Sequence, residues 1–347
     1  LEAQEGILFD CLRSDDPSLY VEQLTYELPG TYGFDQIQKA YQAVCHHNPI
    51  LTARLDRHVG QYLLKADRNA PVVCTEITSS EWKDYLQEDF ARGFELERNL
   101  TRIAVLPGKD QTRLVWTHHH LILDGWSLGV FSNEMMKALE NKTLLAHDEF
   151  IQLACECSNH PQAGTYWARK SLPQLATALP PPLPSKDPEL AYLKHRVFIP
   201  LADASRIQET GTSMHAYCMT LWASFLCTLY DRSEVLLGNV VSLRSDEHLE
   251  ALGMFVRTLP FIFHADRNRS FEQLLQDTAE RLREDEQHKG ERLGEHTQGH
   301  LNDHLFVFEN YPVDHAALEE KGIRIGDFQE RTGSPWTTLV YPVPGGV

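Results

Sequence analysis

Between Arg113 and Glu140 the chain reads as a strand, a short loop and a helix in immediate succession. Arg113-Leu114-Val115-Trp116-Thr117 has the β-branched and aromatic character of a strand. Trp126 to Glu140 carries Leu128, Phe131, Met135 and Leu139 at helical spacing. The junction is His118-His119-His120-Leu121-Ile122-Leu123-Asp124-Gly125. Three imidazoles therefore stand at the end of a strand, before a turn at Asp124-Gly125. Loop residues held by a rigid scaffold are where chemistry is commonly placed. Histidine also has the ordinary side-chain pKa nearest neutrality, which suits proton transfer.

The 347 residues suffice for one large core or two ordinary ones. Hydrophobic residues at 42% and charged ones at 23% fit a soluble globular chain. The formal net charge of −17 argues against a nucleic-acid partner, since phosphate neutralisation needs clustered Lys and Arg. Seven cysteines are scattered from Cys11 to Cys227, and Cys155-Glu156-Cys157 is too tight for a CxxC motif. Reduced thiols and a cytoplasmic location are the expectation. No signal-peptide pattern opens the chain. The longest apolar run, Ala216 to Tyr230, is too short to span a membrane and reads as a buried helix, so no membrane partner is expected.

Leu179-Pro180-Pro181-Pro182-Leu183-Pro184 divides the chain near its middle. Such a run continues neither a helix nor a sheet. It suggests an N-terminal lobe over 1–178, a proline-rich linker over 179–188 and a C-terminal lobe over 189–347. Tyr20 to Leu28 reads as a strand and Phe34 to His47 as a helix. In the second half, Lys194 to Ile199 and Val235 to Ser242 read as strands and Met214 to Tyr230 as a helix. Phe271 to Glu286 reads as an amphipathic surface helix.

His119 to Gly125 matches the pattern HHxxxDG, and further segments add to it in order along the chain. Leu1-Glu2-Ala3-Gln4-Glu5-Gly6-Ile7-Leu8-Phe9 is similar to SPxQEGMLF, and His47-Asn48-Pro49-Ile50-Leu51-Thr52-Ala53-Arg54-Leu55 to RHExLRTxF. Val241-Ser242-Leu243-Arg244 is similar to VSGR, and Gly253-Met254-Phe255-Val256-Arg257-Thr258-Leu259-Pro260 to GxFVNTLP. Phe306-Val307-Phe308-Glu309-Asn310-Tyr311-Pro312 contains FENYP. Together these resemble the condensation domains of non-ribosomal peptide synthetases across nearly the whole chain. The departures are Arg257 for Asn, Asn48-Pro49 for His-Glu, Thr52 for Arg and Leu243 for Gly. The family's last portion, about a hundred residues, has no counterpart, and the first residue is Leu1, so a piece of a longer polypeptide is expected.

The resemblance implies an α/β (α+β) fold of two chloramphenicol-acetyltransferase-like lobes in a V with a central tunnel. It implies an acyltransferase that forms a peptide bond. The donor acyl thioester and the acceptor aminoacyl thioester would be carried on phosphopantetheine of two peptidyl carrier proteins. An adjacent adenylation domain would be a neighbour in the same synthetase, and no cofactor would be bound by the domain itself. His120, the second His of the motif, is the first choice for acting on the attacking amine or the tetrahedral intermediate. His119 faces the other way if the strand continues, and so reads as a buried support. Asp124 is expected to pair with Arg244, the Arg of the VSGR-like segment, and thereby to tie the two lobes together. Gly125 is expected to permit a turn or close approach. Trp126, Ser127, Asn310 and Trp336 are weaker candidates for the tunnel wall.

His118 shares the face of His120 by strand alternation. A second base there would support dehydration chemistry, as in members that add β-elimination to condensation. At most His118, His120 and Asp124 could converge on a metal, and none is expected. Rival readings are an epimerisation domain, which usually continues Val-Ser-Trp-Arg after the glycine where this chain has Trp126-Ser127-Leu128, and a non-catalytic recruitment module, which usually loses the second His.

Overall fold

A computed structural model describes residues 1–58, 61–158, 165–170, 194–200, 207, 211–293, 303–309, 322–343 and 346–347. In chain order the main elements begin with α1 (Glu2–Arg13), β1 (Val21–Pro29), α2 (Phe34–His47), β2 (Arg54–His58), β3 (Gln61–Lys65), β4 (Cys74–Glu76) and α3 (Trp82–Arg92). There follow β5 (Thr101–Leu106), β6 (Gln111–His119), α4 (Trp126–Leu139), α5 (Glu149–Ser158) and α6 (Thr165–Arg169). The remainder are α7 (Met214–Leu229), β7 (Glu234–Ser242), β8 (Val256–His264), α8 (Phe271–Gln287), β9 (His304–Phe308), β10 (Arg324–Glu330) and β11 (Trp336–Val340).

Two compact units emerge, and they differ from the two contiguous lobes expected. The first comprises Leu1–His160, Arg244–Phe255 and Tyr311–Gly333; the second comprises Pro161–Leu243, Val256–Asn310 and Ser334–Val347. The chain returns to the first unit twice because Arg244 meets Asp124 and because β10 pairs with β1. Arg244 and Asp124 thus belong to the same unit. The expected linker, 179–188, lies outside the described residues.

The first unit holds a five-stranded sheet in the order β10-β1-β6-β5-β4. It is antiparallel except where β4 runs parallel to β5. Both faces are covered, which explains why β1 is buried along nearly its whole length. On one face, α2 and α4 pack over the fully buried Trp116, which stacks on Phe131 with centroids 3.6 Å apart. Ile37, Ala40, Tyr41 and Val44 supply the buried stripe of α2, at the i, i+3, i+4, i+7 spacing of an amphipathic helix. The helix stops at Asn48, where Pro49 opens a 3-10 turn. On the other face, Asp89 of α3 accepts hydrogen bonds from Gln23, Thr117 and Arg102, so a buried polar row is satisfied rather than stranded.

The second unit has a four-stranded sheet, β11-β9-β7-β8, with α7 and α8 packed on it. Helix α7 begins at Ser213, whose side chain caps the Ala216 N–H. Residues 194–199, expected as a strand, have no regular structure. Val197 and Phe198 are exposed, and Ile199 exchanges backbone hydrogen bonds with Val347 beside an isolated bridge between Pro200 and Gly346. Among the described residues no helix is long and apolar enough to cross a membrane, and the cysteines that are described are free.

Candidate functional site

The motif histidines stand at the C-terminal end of the central strand β6, and register decides what each one meets. Glu22 of β1 stands opposite His118, Thr101 of β5 stands opposite His118 on the other side, and Glu330 of β10 stands opposite Glu22. Directly opposed side chains share a face. Glu330, Glu22, His118 and Thr101 therefore form one row across four strands, on the face covered by α2 and α4.

His118 is wholly buried, its ring 4.4 Å from that of Trp116, and its Nε2 lies 3.2 Å from Glu22 Oε2. Burial, with the neighbouring His120 and His119, holds its pKa well below the ordinary value, so the ring is neutral. His119 points to the opposite face, as alternation predicts. Its Nδ1 accepts from the Leu121 N–H at 3.0 Å, and its Nε2 faces Cys11 Sγ at 3.7 Å. Burial pulls its pKa down to about 3, so it too is neutral.

His120 follows the strand. Its N–H donates to the Tyr20 carbonyl at 2.8 Å, and its side chain is 18% exposed where His118 has none. Its Nε2 lies 3.5 Å from Glu22 Oε1. One buried carboxylate therefore faces both His118 and His120, a residue that sequence reasoning missed. The only signal was a charged side chain inside Leu19-Tyr20-Val21-Glu22-Gln23-Leu24, an otherwise strand-like run. Burial works against a charge on His120, but Glu22, Glu330, its own backbone carbonyl and Asp124 outweigh it and raise its pKa. The three motif histidines are thus divided electrostatically, two neutral and one biased towards imidazolium.

Asp124 is fully buried and saturated. Its Oδ1 accepts from Arg244 Nη2 at 2.9 Å and from the N–H and hydroxyl of Ser127 at 3.0 and 2.8 Å. Its Oδ2 accepts from the Phe255 N–H at 3.0 Å. Arg244 also donates to the carbonyls of His248 and Ala251 and lies over the Phe255 ring. The expected pair is present, and it fastens residues 244–255 to the start of α4.

Other expectations are corrected. Gly125 has φ −62° and ψ −30°, right-handed helical values open to any residue, so its backbone angles, unlike the close approach also expected there, are no reason for glycine. Ser127 is fully buried, with its hydroxyl committed to Asp124 and Gly253, so it lines no open passage. Trp126 is half-buried and donates to the Leu249 carbonyl. Trp336 lies in the second unit, 37% exposed and stacked on His304. Asn310 lies outside the described residues.

Asp124 is committed elsewhere, so the His118, His120 and Asp124 convergence considered for a metal does not form. The donor atoms of Glu22, His120 and Glu330 do lie within 4.8 Å of one another. A positive charge on His120 would offset one of the two adjacent carboxylate charges.

The condensation-domain family matches residues 1–335. Bacitracin synthase 3 of Bacillus licheniformis is 26% identical over 355 residues, covering 92% of this chain and 6% of that protein. Chondramide synthase cmdD of Chondromyces crocatus is 26% identical over 366 residues, covering 95% of this chain and 9% of that protein. The chain thus spans a small fraction of the length of these relatives. The starter condensation domain of rhizomide synthetase RzmA superposes with a TM-score of 0.77 at 15% identity, covering 99% of this chain and 86% of that one. The first condensation domain of the calcium-dependent antibiotic synthetase, in complex with substrate analogue 2a, gives 0.73 at 16%, covering 99% and 87%. These structural likenesses establish the mixed α/β fold, and with the match over residues 1–335 the chain belongs to the condensation-domain family of non-ribosomal peptide synthetases.

Proposed function

We propose that the protein forms an amide bond between two thioester-tethered groups, with His120 acting at the reacting centre. The acceptor amine attacks the donor thioester carbonyl, the C–N bond forms, the C–S bond breaks, and the amine proton ends on the departing thiol. Donor and acceptor arrive on phosphopantetheine of peptidyl carrier proteins, and an adenylation domain in the same cytoplasmic synthetase supplies the aminoacyl group. Holding both partners in place can lower the barrier by roughly 7–11 kcal/mol. His120 therefore needs to contribute only part of the acceleration. No cofactor is needed for this chemistry.

The observation that carries this reading is the contrast among the motif histidines. Only His120 combines an exposed edge with a charged partner, while His118 and His119 are buried and neutral. The same contrast speaks against dehydration chemistry through His118, whose ring has no exposed atom to offer a substrate. Trp126-Ser127-Leu128 after Gly125 speaks against epimerisation, and the retained His120 against a recruitment module.

The test is mass spectrometry of a reaction with loaded donor and acceptor carriers, comparing the parent, His118→Ala and His120→Ala. Peptide on the acceptor carrier that falls about 10²–10⁴-fold in His120→Ala alone is the expected result. A parent product lighter by one water, restored to simple peptide in His118→Ala, would establish the dehydrating reading instead. Epimerised donor without peptide would overturn condensation.

A further inference from the structure

Glu22 is the feature that the family motif does not explain. It is a carboxylate in the centre of a sheet, 3% exposed, on a strand covered on both faces. A carboxylate so placed is costly unless charge or hydrogen bonds compensate it. Its two oxygens divide between two imidazoles, Oε2 facing His118 at 3.2 Å and Oε1 facing His120 at 3.5 Å. Across the β1–β10 ladder stands a second carboxylate, Glu330, directly opposite Glu22 and with an oxygen within 4.8 Å of a His120 ring nitrogen.

We propose that Glu22 is a positioning residue for His120, its buried carboxylate orienting the imidazole at the end of β6, with Glu330 as the second wall of the same cradle. The inference rests on the reading of His120 given above. His118 packs on Trp116 beside this arrangement, its Nε2 3.2 Å from Glu22 Oε2 without hydrogen-bond geometry.

The titratable groups around His120 are Glu22 from β1, Glu330 from β10, His118 from β6 and Asp124 from the following loop, with His119 adjacent in sequence but on the opposite face. Asp124 is already paired with Arg244, and the two other histidines are neutral, so Glu22 and Glu330 are the charges that set the state of the ring. Two carboxylates favour the imidazolium, which donates hydrogen bonds and accepts none. His120 would then act on the negatively charged oxygen of the tetrahedral intermediate, and a proton taken from the amine would need another acceptor.

The experiment measures the His120 midpoint by NMR of ring-labelled histidine, its signal assigned by its loss in His120→Gln, together with kcat and KM for peptide formation. Glu22→Gln keeps the shape and removes the charge. It is expected to move the His120 midpoint to lower pH and to cut kcat about 10–100-fold, with KM for the loaded carriers held within about twofold. Glu22→Asp restores part of both. Glu330→Gln, on an edge strand, gives a smaller shift in the same direction and serves if Glu22→Gln does not fold. An unmoved midpoint in both variants overturns the proposal, as does a kcat unchanged in Glu22→Gln. The NMR result does not depend on the assigned reaction. A shifted midpoint with full activity in His120→Ala would overturn the functional reading and leave the cradle standing.

Discussion

Replacing Arg244 with alanine tests whether the motif aspartate is structural. In the native structure Asp124 is fully buried and takes four directions of hydrogen bonding, from Arg244, the Ser127 N–H, the Ser127 hydroxyl and the Phe255 N–H. Arg244→Ala removes the only cation among these and frees the carbonyls of His248 and Ala251. Breaking a buried ion pair from one side costs about 3–5 kcal/mol, because an uncompensated charge stays behind. For a unit of this size each kcal/mol lowers the thermal midpoint by about 2–4 °C, so a fall of roughly 6–20 °C is expected. The assay is thermal unfolding of the parent, Arg244→Ala, Asp124→Ala and the double variant, followed by tryptophan fluorescence, since Trp126 sits against Arg244. The double variant should lose less than the sum of the two single losses, because no unpaired charge remains. A single-variant fall below about 2 °C, or strict additivity in the double variant, would refute the assignment of Asp124 as a neutralised anchor.

Gly93 closes α3 at φ +60° and ψ −144°, and an added Cβ would come within 1.7 Å of the Pro17 carbonyl oxygen. Gly93→Ala should therefore destabilise by about 4 kcal/mol or more, read as lost soluble yield or a collapsed thermal midpoint. His119 has a folded pKa depressed from 6.5 to about 3, and His118 is depressed well below its ordinary value. Over that window the unfolded chain binds protons that the folded one refuses, so stability should fall as pH drops below about 6.5. Urea unfolding between about pH 7 and about pH 4 should show this slope, and His119→Gln should flatten it.

The sequence made some parts of this structure easy to read and concealed others. α2, α4, α7 and α8 were legible because their apolar residues recur over two turns or more, β1 because of its strand-like composition, and the start of α8 is marked by Ser270. The HHxxxDG loop was legible because its neighbours are a strand and a helix with no intervening residues. Glu22 and Glu330 were not, since their relation to His120 comes from register between strands far apart in the chain, which local pattern does not encode. Lys194–Ile199 misled for the converse reason: it has a strand's composition, yet among the described residues it forms no ladder beyond the isolated bridge at Pro200. The buried Ser127 misled because neighbouring Trp126 is partly open, and one residue of helical rotation separates the two environments.

β10 joins β1 with Glu330 beside Glu22, a pairing between strands far apart in the sequence. During synthesis β1 leaves the ribosome long before its partner exists. Until then its outer edge offers unpaired backbone groups, the condition under which strands pair with the wrong chain. The first unit cannot finish its sheet until the segment through Glu330 has been made, although most of its residues come early. Expression of the first half alone would thus give an open edge and a His120 lacking one of its two carboxylates. Stopping translation just before or just after β10 should mark the point at which the nascent chain becomes resistant to protease.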